Sequence, residues 1–193
     1  MTDVLLASSS RYRRALLERL QIPFSWASPD IDESPLPNEK AHPLVTRLAE
    51  QKARALSQTF TNHLIIGSDQ AAVLADGSIL GKPGTFEQAR RQLRAASASS
   101  VTFLTGIAVL NSHTDRLQVD CIPFTVHFRQ LSDQQIERYL LKESPLDCAG
   151  SFKAEALGVT LFQRTEGEDA TSLIGLPLIR LTDMLLNEGL ELP

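Results

Sequence analysis

At 193 residues and 42% hydrophobic content, the chain is long enough for one sizeable domain, or two lobes sharing a sheet, and needs no external staple to fold. Its net charge of -4, with no basic run beyond one arginine cluster near the N-terminus, excludes an extended nucleic-acid surface and suits a small anionic ligand in a local positive pocket. The two cysteines, Cys121 and Cys148, are far apart and outside any CxxC pattern, which excludes a disulfide framework and a cysteine metal cluster and fits a reducing cytosol.

The opening Met-Thr-Asp-Val carries no basic segment ahead of a long apolar run, and no apolar run is long enough to span a bilayer. A soluble cytoplasmic protein is expected. Val4-Leu5-Leu6-Ala7 reads as a buried strand, followed by Ser8-Ser9-Ser10, by Arg11, Arg13 and Arg14 around Tyr12, and by apolar residues at helical spacing. Strand, hydroxyl-rich turn and helix start together suit an anion, because free helix N–H groups, serine hydroxyls and guanidinium forks all favour negative charge. An ordinary serine cap with solvated arginines would produce the same residues.

Ile22 to Ala27 suggests a short strand, and Ser28 to Pro37 a loop with three prolines and three acids, either a solvated linker or a carboxylate loop for a hard divalent cation. Pro43 to Ser57 reads as a helix with proline at its first position and an apolar stripe of Val45, Leu48, Ala49 and Leu56. Lys52 falls on that stripe. Snorkelling to the surface is the ordinary fate of such a lysine; facing a cleft instead, it would meet phosphate or carboxylate.

Leu64-Ile65-Ile66 reads as a core strand with Asp69 at or just past its end, where open α/β sheets carry their chemistry, although a turn or cap role also fits. Ala75 to Ser78 predicts a hairpin, and Gly81-Lys82-Pro83-Gly84 a loop presenting one lysine. No GxxxxGK[ST] occurs, which disfavours P-loop hydrolysis. Thr85 and Ser132 open two capping boxes, the first helix running to about Ser97 and the second marked by Ile136, Tyr139 and Leu140. Val101–Leu110 and Leu117–Phe128 read as strands around a turn at Asn111–Asp115, Pro123 implying an edge or a bulge. Leu146–Lys153 reads as a loop and Leu157–Gln163 as a strand; Gly175-Leu176-Pro177 opens a last helix that runs to about Asn187 and is closed by Gly189. The four histidines show no zinc-ligand spacing.

Several of these stretches, taken in order, resemble the Maf family of nucleoside triphosphate pyrophosphatases: Ser8 through Leu17, Asp32-Glu33, Gln51-Lys52-Ala53, Gly67 through Leu74 with Gly81-Lys82-Pro83, Thr105-Gly106, Asp147 through Phe152 and Gly175-Leu176-Pro177. Each motif is weak alone; their joint order is specific. Arg11 stands where many relatives carry proline. The resemblance implies one Maf-type domain over residues 1–193, with an α/β fold of the Maf/ITPase-like kind: a long curved mixed sheet flanked by helices, in two lobes with a central cleft. It implies hydrolysis between the α- and β-phosphates, a divalent cation (Mg²⁺ or Mn²⁺), and a homodimer. By position, Asp69 looks like the general base. Ser8, Ser10, Arg13 and Arg14 would grip phosphates, Lys52 and Lys82 would neutralise them, and Glu33 would join Asp69 in holding metal. An aspartate alone is a weak base, so a metal-activated water suits this chemistry better.

Members acting on dTTP and UTP typically place threonine after the aspartate, whereas here Gln70 follows Asp69. Tyr12 between arginines, and the continuation Ser151-Phe152-Lys153-Ala154-Glu155, are similar to the subfamily that hydrolyses 7-methyl-GTP. Tyr12 could stack on the flat cationic base, with Gln70 and Glu155 reading its edges; packing on its own helix and plain solvation are the alternative roles for Tyr12 and Glu155. A canonical-pyrimidine pyrophosphatase and a non-catalytic nucleotide-binding regulator of cell division are the rival expectations. The carboxylate at Asp69 beside a phosphate grip argues against the regulator, and Gln70 against the pyrimidine enzyme.

Overall fold

The computed structural model describes residues 3–193. Seven strands form one mixed sheet: β1 (Asp3–Ala7), β2 (Phe24–Ala27), β3 (His63–Leu74), β4 (Ile79–Leu80), β5 (Ser100–Asn111), β6 (Arg116–Phe128) and β7 (Phe162–Glu166). Their order is β2-β1-β3-β5-β6-β7, with β4 paired to β3. β1 runs parallel to both neighbours, in register Leu6↔Trp26 and Leu6↔Ile66; β4 and β7 pair antiparallel with β3 and β6. The helices are α1 (Arg11–Leu17), α2 (Ala41–Ala55), α3 (Phe86–Ala96), α4 (Asp133–Glu143), α5 (Ala170–Ile174) and α6 (Leu178–Asn187).

The chain divides into two units. The first comprises residues up to Asp69, Thr105–Ile122 and Thr171 onward. Its core follows strand alternation: successive side chains point to opposite sheet faces, and both faces are covered. Val4, Leu6, Leu64, Ile66, Ile107 and Val109 face one side, where Leu16 and Leu17 of α1 and Leu181, Met184 and Leu185 of α6 cover them. Leu5, Ile65, Ala108 and Leu110 face the other, under Ala49 and Ala53 of α2.

Two glycines set how closely α2 approaches. A Cβ added at Gly67 on β3 would stand 2.0 Å from the Ala49 carbonyl oxygen, and one at Gly106 on β5 would stand 2.2 Å from that of Val45. Val45 and Ala49 lie one turn apart on α2, so helix backbone rests on strand backbone at two points. This explains small residues where a strand would ordinarily carry large ones.

The second unit comprises Gln70–Leu104 and Pro123–Ala170. Its core is aromatic. Phe152 meets Phe103, Phe128 and Phe162 edge to face at centroid distances of 5.3, 5.4 and 5.0 Å. Ala89, Leu93 and Ala96 of α3 and Ile136, Tyr139 and Leu140 of α4 complete it. An ion pair of 2.6 Å joins Arg94 of α3 to Asp133 of α4. Strands β3, β5 and β6 contribute residues to both units.

Most sequence expectations for local structure hold. Ser10 caps α1, and Ser132 with Gln135 forms both halves of a capping box on α4. At Thr85 only half of the expected box forms: its hydroxyl accepts from the Gln88 amide, while its own amide donates to the Pro83 carbonyl. Pro123 lies short of the stretch of β6 that β7 covers, Thr125 to Phe128, as a residue without an amide hydrogen requires. Three expectations are corrected. Helix α2 begins at Ala41, so Pro43 sits third in it, where the amide hydrogen it lacks would in any case have had no partner in the helix. Leu157–Leu161 is a 3-10 helix rather than a strand, and pairing starts only at Phe162. β3 does not stop before Asp69 but continues to Leu74; what ends there is the ladder with β1, whose last β3 partner is Ile66.

Candidate active site

Three charged side chains meet in the first unit where β3 outruns β1. Lys52 Nζ donates to Asp69 Oδ1 at 2.6 Å and lies 3.0 Å from Glu33 Oε1. Lys52 is only 5% exposed, so it does not snorkel. The surface position expected of a lysine on an apolar stripe is thus corrected: two carboxylate partners offset the cost of burying its charge. The Asp69 side chain is 14% exposed and that of Glu33 56%. Asp69 is therefore fixed, and Glu33 is open to reorient toward a ligand.

Arg13 forms a second cationic point. Its Nε donates to the Gly175 carbonyl at 2.8 Å, and the buried Ser68 hydroxyl donates to the same oxygen at 2.9 Å. Burial pushes the Arg13 guanidinium below its usual value, while the charges of Asp69 and Glu33 oppose that push. The hydroxyls of Ser8 and Ser10 shape the turn between β1 and α1. Ser8 Oγ accepts from the Ser10 amide at 3.1 Å, and Ser10 Oγ accepts from the Arg13 amide at 3.4 Å. Both act as acceptors in these bonds, so each retains an O–H to donate.

The next arginine faces elsewhere, since successive helix residues are about 100° apart. The Arg14 guanidinium stacks over the half-exposed Trp26 ring at 4.2 Å, and with Arg11, Ala15, Glu18 and Phe24 the two line a hollow of about 480 Å³. Tyr12 is engaged by its neighbour: Arg11 donates to the phenol oxygen at 2.9 Å and rests over the ring at 4.9 Å.

The other expected site residues belong to the second unit. Gln70 is half-buried on β3, directly after Asp69. Lys82 is exposed on the loop between β4 and α3. Glu155 is exposed in a turn tethered on both sides to α4: the Lys153 amide donates to Tyr139 Oη at 3.0 Å, and the Leu157 amide to a Glu143 carboxylate oxygen at 2.7 Å. Burial pushes the Tyr139 phenol up, so it stays neutral at physiological pH.

Arg47, Ser68 and Gly175 were not singled out as site residues by sequence. Arg47 on α2 grips Glu39 with two bonds, 2.7 and 2.6 Å, and donates to the Ser34 carbonyl at 3.2 Å. It thereby pins the loop bearing Glu33 to the helix bearing Lys52. Those hydrogen bonds hold the Glu39 carboxyl at about 2. A depressed carboxyl contributes stability that is full above the ordinary value of 4.5 and is lost as pH falls from there through about 2. Arg47→Lys replaces a fork with a point charge. Limited proteolysis of residues 28–40 is expected to speed up at neutral pH with global unfolding nearly unchanged. In the wild type the loop's protection should fade progressively as pH falls from 4.5 through about 2; unchanged cleavage in the variant would refute the clamp.

Among the described residues, no group of three or more His, Cys, Asp or Glu is placed to hold a metal ion. Glu33 and Asp69, converging on one ammonium, could supply two carboxylates. That suits a hard cation whose remaining ligands are phosphate oxygens and water.

The fold is similar to that of the Staphylococcus aureus Ham1 protein, with a TM-score of 0.53 over 97% of this chain and 100% of that one, at 12% identity. The Maf-like protein family model matches residues 3–188, and the chain belongs to that family. It is 67% identical to a 7-methyl-GTP pyrophosphatase of Pseudomonas fluorescens and 65% identical to one of Pseudomonas aeruginosa, each over 193 residues and 100% of both chains.

Proposed function

We propose that this chain is a nucleoside triphosphate pyrophosphatase that hydrolyses 7-methyl-GTP to 7-methyl-GMP and pyrophosphate, clearing a modified nucleotide. Full-length identity of 67% to a relative bearing that name carries the reading. The unbroken family match over residues 3–188 supports treating residues 1–193 as one Maf-type domain. No helix of the described residues is long and apolar enough to cross a membrane. A cytoplasmic setting is proposed from the cysteine usage, which fits a reducing compartment, and a homodimer from the family resemblance.

Asp69 is the general base. Lys52 occupies Oδ1, which leaves Oδ2 to orient a water and take its proton. The water oxygen adds to phosphorus as the bond between the α- and β-phosphates breaks, and pyrophosphate leaves. Arg13, Lys52 and Lys82, with the hydroxyls of Ser8 and Ser10, hold phosphate oxygens and stabilise the charge that builds there. Arg14 joins them only by leaving Trp26.

Charge balance supports a divalent cation. Arg13 and Lys52 are matched one for one by Asp69 and Glu33, so this group alone holds no surplus charge for a triphosphate. Mg²⁺ or Mn²⁺ held by Glu33 and Asp69 would supply that surplus as a Lewis acid.

Tyr12, Gln70 and Glu155 select the base. A flat cation, the Arg11 guanidinium, already rests over the Tyr12 ring. A methylated guanine is also flat and cationic and competes for such a face. The test is pyrophosphate release with Mg²⁺ or Mn²⁺ from 7-methyl-GTP, GTP, dTTP, UTP and CTP. 7-Methyl-GTP should lead, and Tyr12→Ala or Gln70→Thr should cut its lead about tenfold, the scale of one stacking or hydrogen-bond contact. Equal rates on dTTP and UTP would overturn the substrate, and no release from any nucleotide would overturn the activity.

A further inference from the structure

We propose that Gln92 is a positioning residue that fixes, from one buried amide, both loops of the second unit assigned to substrate: the Lys82 loop and the corner leading to Glu155. The inference rests on the pyrophosphatase reading above.

Gln92 is conspicuous on α3. With Ala89, Leu93 and Ala96 it makes up the buried stripe of the helix, at i, i+3, i+4 and i+7, and it is the polar member. Burying an amide is costly unless both ends are satisfied. Here both are. Nε2 donates to the Gly81 carbonyl at 3.0 Å, and Oε1 accepts from the Ser151 hydroxyl. The orientation is forced by chemistry: a carbonyl can only accept, so the NH₂ must face Gly81 and the oxygen must face Ser151.

Each loop needs such a clamp. Lys82 lies between Gly81 and Gly84, and a Cβ at either glycine would meet only open space. Glycine gives a loop no stiffness, so its shape must be set from outside. The Gln92 bond holds one end at Gly81, and the Gly84 amide holds the other by donating to the Leu146 carbonyl at 3.0 Å. Pro83, buried between them, fixes its own φ and steers Lys82 away from helical backbone. Lys82 is thus the exposed tip of a loop anchored at two points.

The second loop turns through Gly150 and Ser151, both in the left-handed region at φ 76° and 64°. At Gly150 a side chain would also crowd Phe103, at 3.1 Å. Ser151 bears the strain of that region for a residue with a Cβ. Its hydroxyl bond to Gln92 and the seating of the adjacent Phe152 among the other phenylalanines hold the corner in place. Lys153, Ala154 and Glu155 follow directly.

The test is a double-mutant cycle on kcat/KM for 7-methyl-GTP, using Gln92→Leu and Lys82→Ala. Positioning predicts non-additivity: Gln92→Leu should cost about tenfold alone and about threefold when Lys82 is already alanine, the remainder coming through the Glu155 corner. Equal factors in both backgrounds would show a purely structural role and overturn the proposal. A Lys82→Ala variant at wild-type kcat/KM would overturn the phosphate role of Lys82 and this inference with it, while Asp69→Asn would still test the pyrophosphatase reading separately. Ser151→Ala removes one bond and leaves the helix intact, so it serves if Gln92→Leu does not fold. It should shrink the preference for 7-methyl-GTP over GTP, and an unchanged ratio would count against the clamp on the Glu155 corner. Gln92→Glu turns a carboxylate toward the Gly81 carbonyl and can donate there only when protonated. Its kcat/KM relative to wild type should rise as pH falls, and a flat ratio would overturn the role of the Nε2 bond.

Discussion

Asp69→Asn is expected to retain the fold and lose about 10³-fold in kcat, within the range general-base removal produces. The substitution is nearly isosteric. An amide oxygen still accepts from Lys52, and Lys52 keeps Glu33 at 3.0 Å, so no buried ammonium is orphaned. The packing of α2 on the sheet rests on Ala49, Ala53 and the two glycines rather than on the carboxylate. What disappears is a proton acceptor and one negative charge. The amide cannot take a proton from water, and a cation would be left with Glu33 as its remaining carboxylate. Pyrophosphate release gives the rate, and circular dichroism with thermal unfolding reports the fold. Near wild-type turnover would remove Asp69 from the base role. A large loss of thermal stability would mean that the carboxylate is structural, and the rate loss could then not be assigned to chemistry.

Asp69 also shows how far sequence could go. The apolar run of β1 and the Leu64-Ile65-Ile66 run of β3 fixed the strands, because burial on both faces leaves little other use for such residues. The end of β3 was not legible. Gln70-Ala71-Ala72-Val73-Leu74 continues the strand toward β4, and only pairing reveals that β1 has already stopped. Lys52 was readable as a lysine in an apolar stripe, but its fate depended on Glu33, 19 positions earlier, and Asp69, 17 positions later. A local pattern carries no information about such partners. The same limit hid Ser68 and Gly175, whose shared carbonyl aims Arg13 across 162 positions of chain. Gln92 could have been flagged, since a glutamine between Ala89 and Ala96 breaks an otherwise apolar stripe. The Leu157–Gln163 run misled because apolar residues at 157, 159 and 161 alternate as in a strand, whereas the 3-10 turn spreads them round its axis: Leu161 is buried, and Leu157 and Val159 are exposed.

Gly67→Ala is expected to destabilise the protein by about 3 kcal/mol, at the upper end for overpacking a core, and to lower the thermal midpoint by roughly 10 °C for a chain of this size. Alanine is the better strand residue, so local propensity predicts the opposite sign. Geometry decides between them. The new methyl would stand 2.0 Å from the Ala49 carbonyl oxygen and 3.0 Å from the Ala53 nitrogen, both helix backbone atoms that no rotamer change can move. Relief requires α2 to lift from β3, and Gly106, seated 2.2 Å from Val45 by the same measure, marks the second point where it would separate. Lys52 lies one turn beyond Ala49 on that helix and reaches Asp69, two residues beyond Gly67 on that strand. Lifting the helix therefore stretches the 2.6 Å pair between them, and activity should fall further than the loss of folded protein explains. The measurement is kcat on the folded fraction at a temperature well below the new midpoint, beside a denaturation curve. A midpoint within 2 °C of wild type would show that the helix and strand can part cheaply. A lowered midpoint with full kcat would show that the Lys52–Asp69 pair does not depend on this contact.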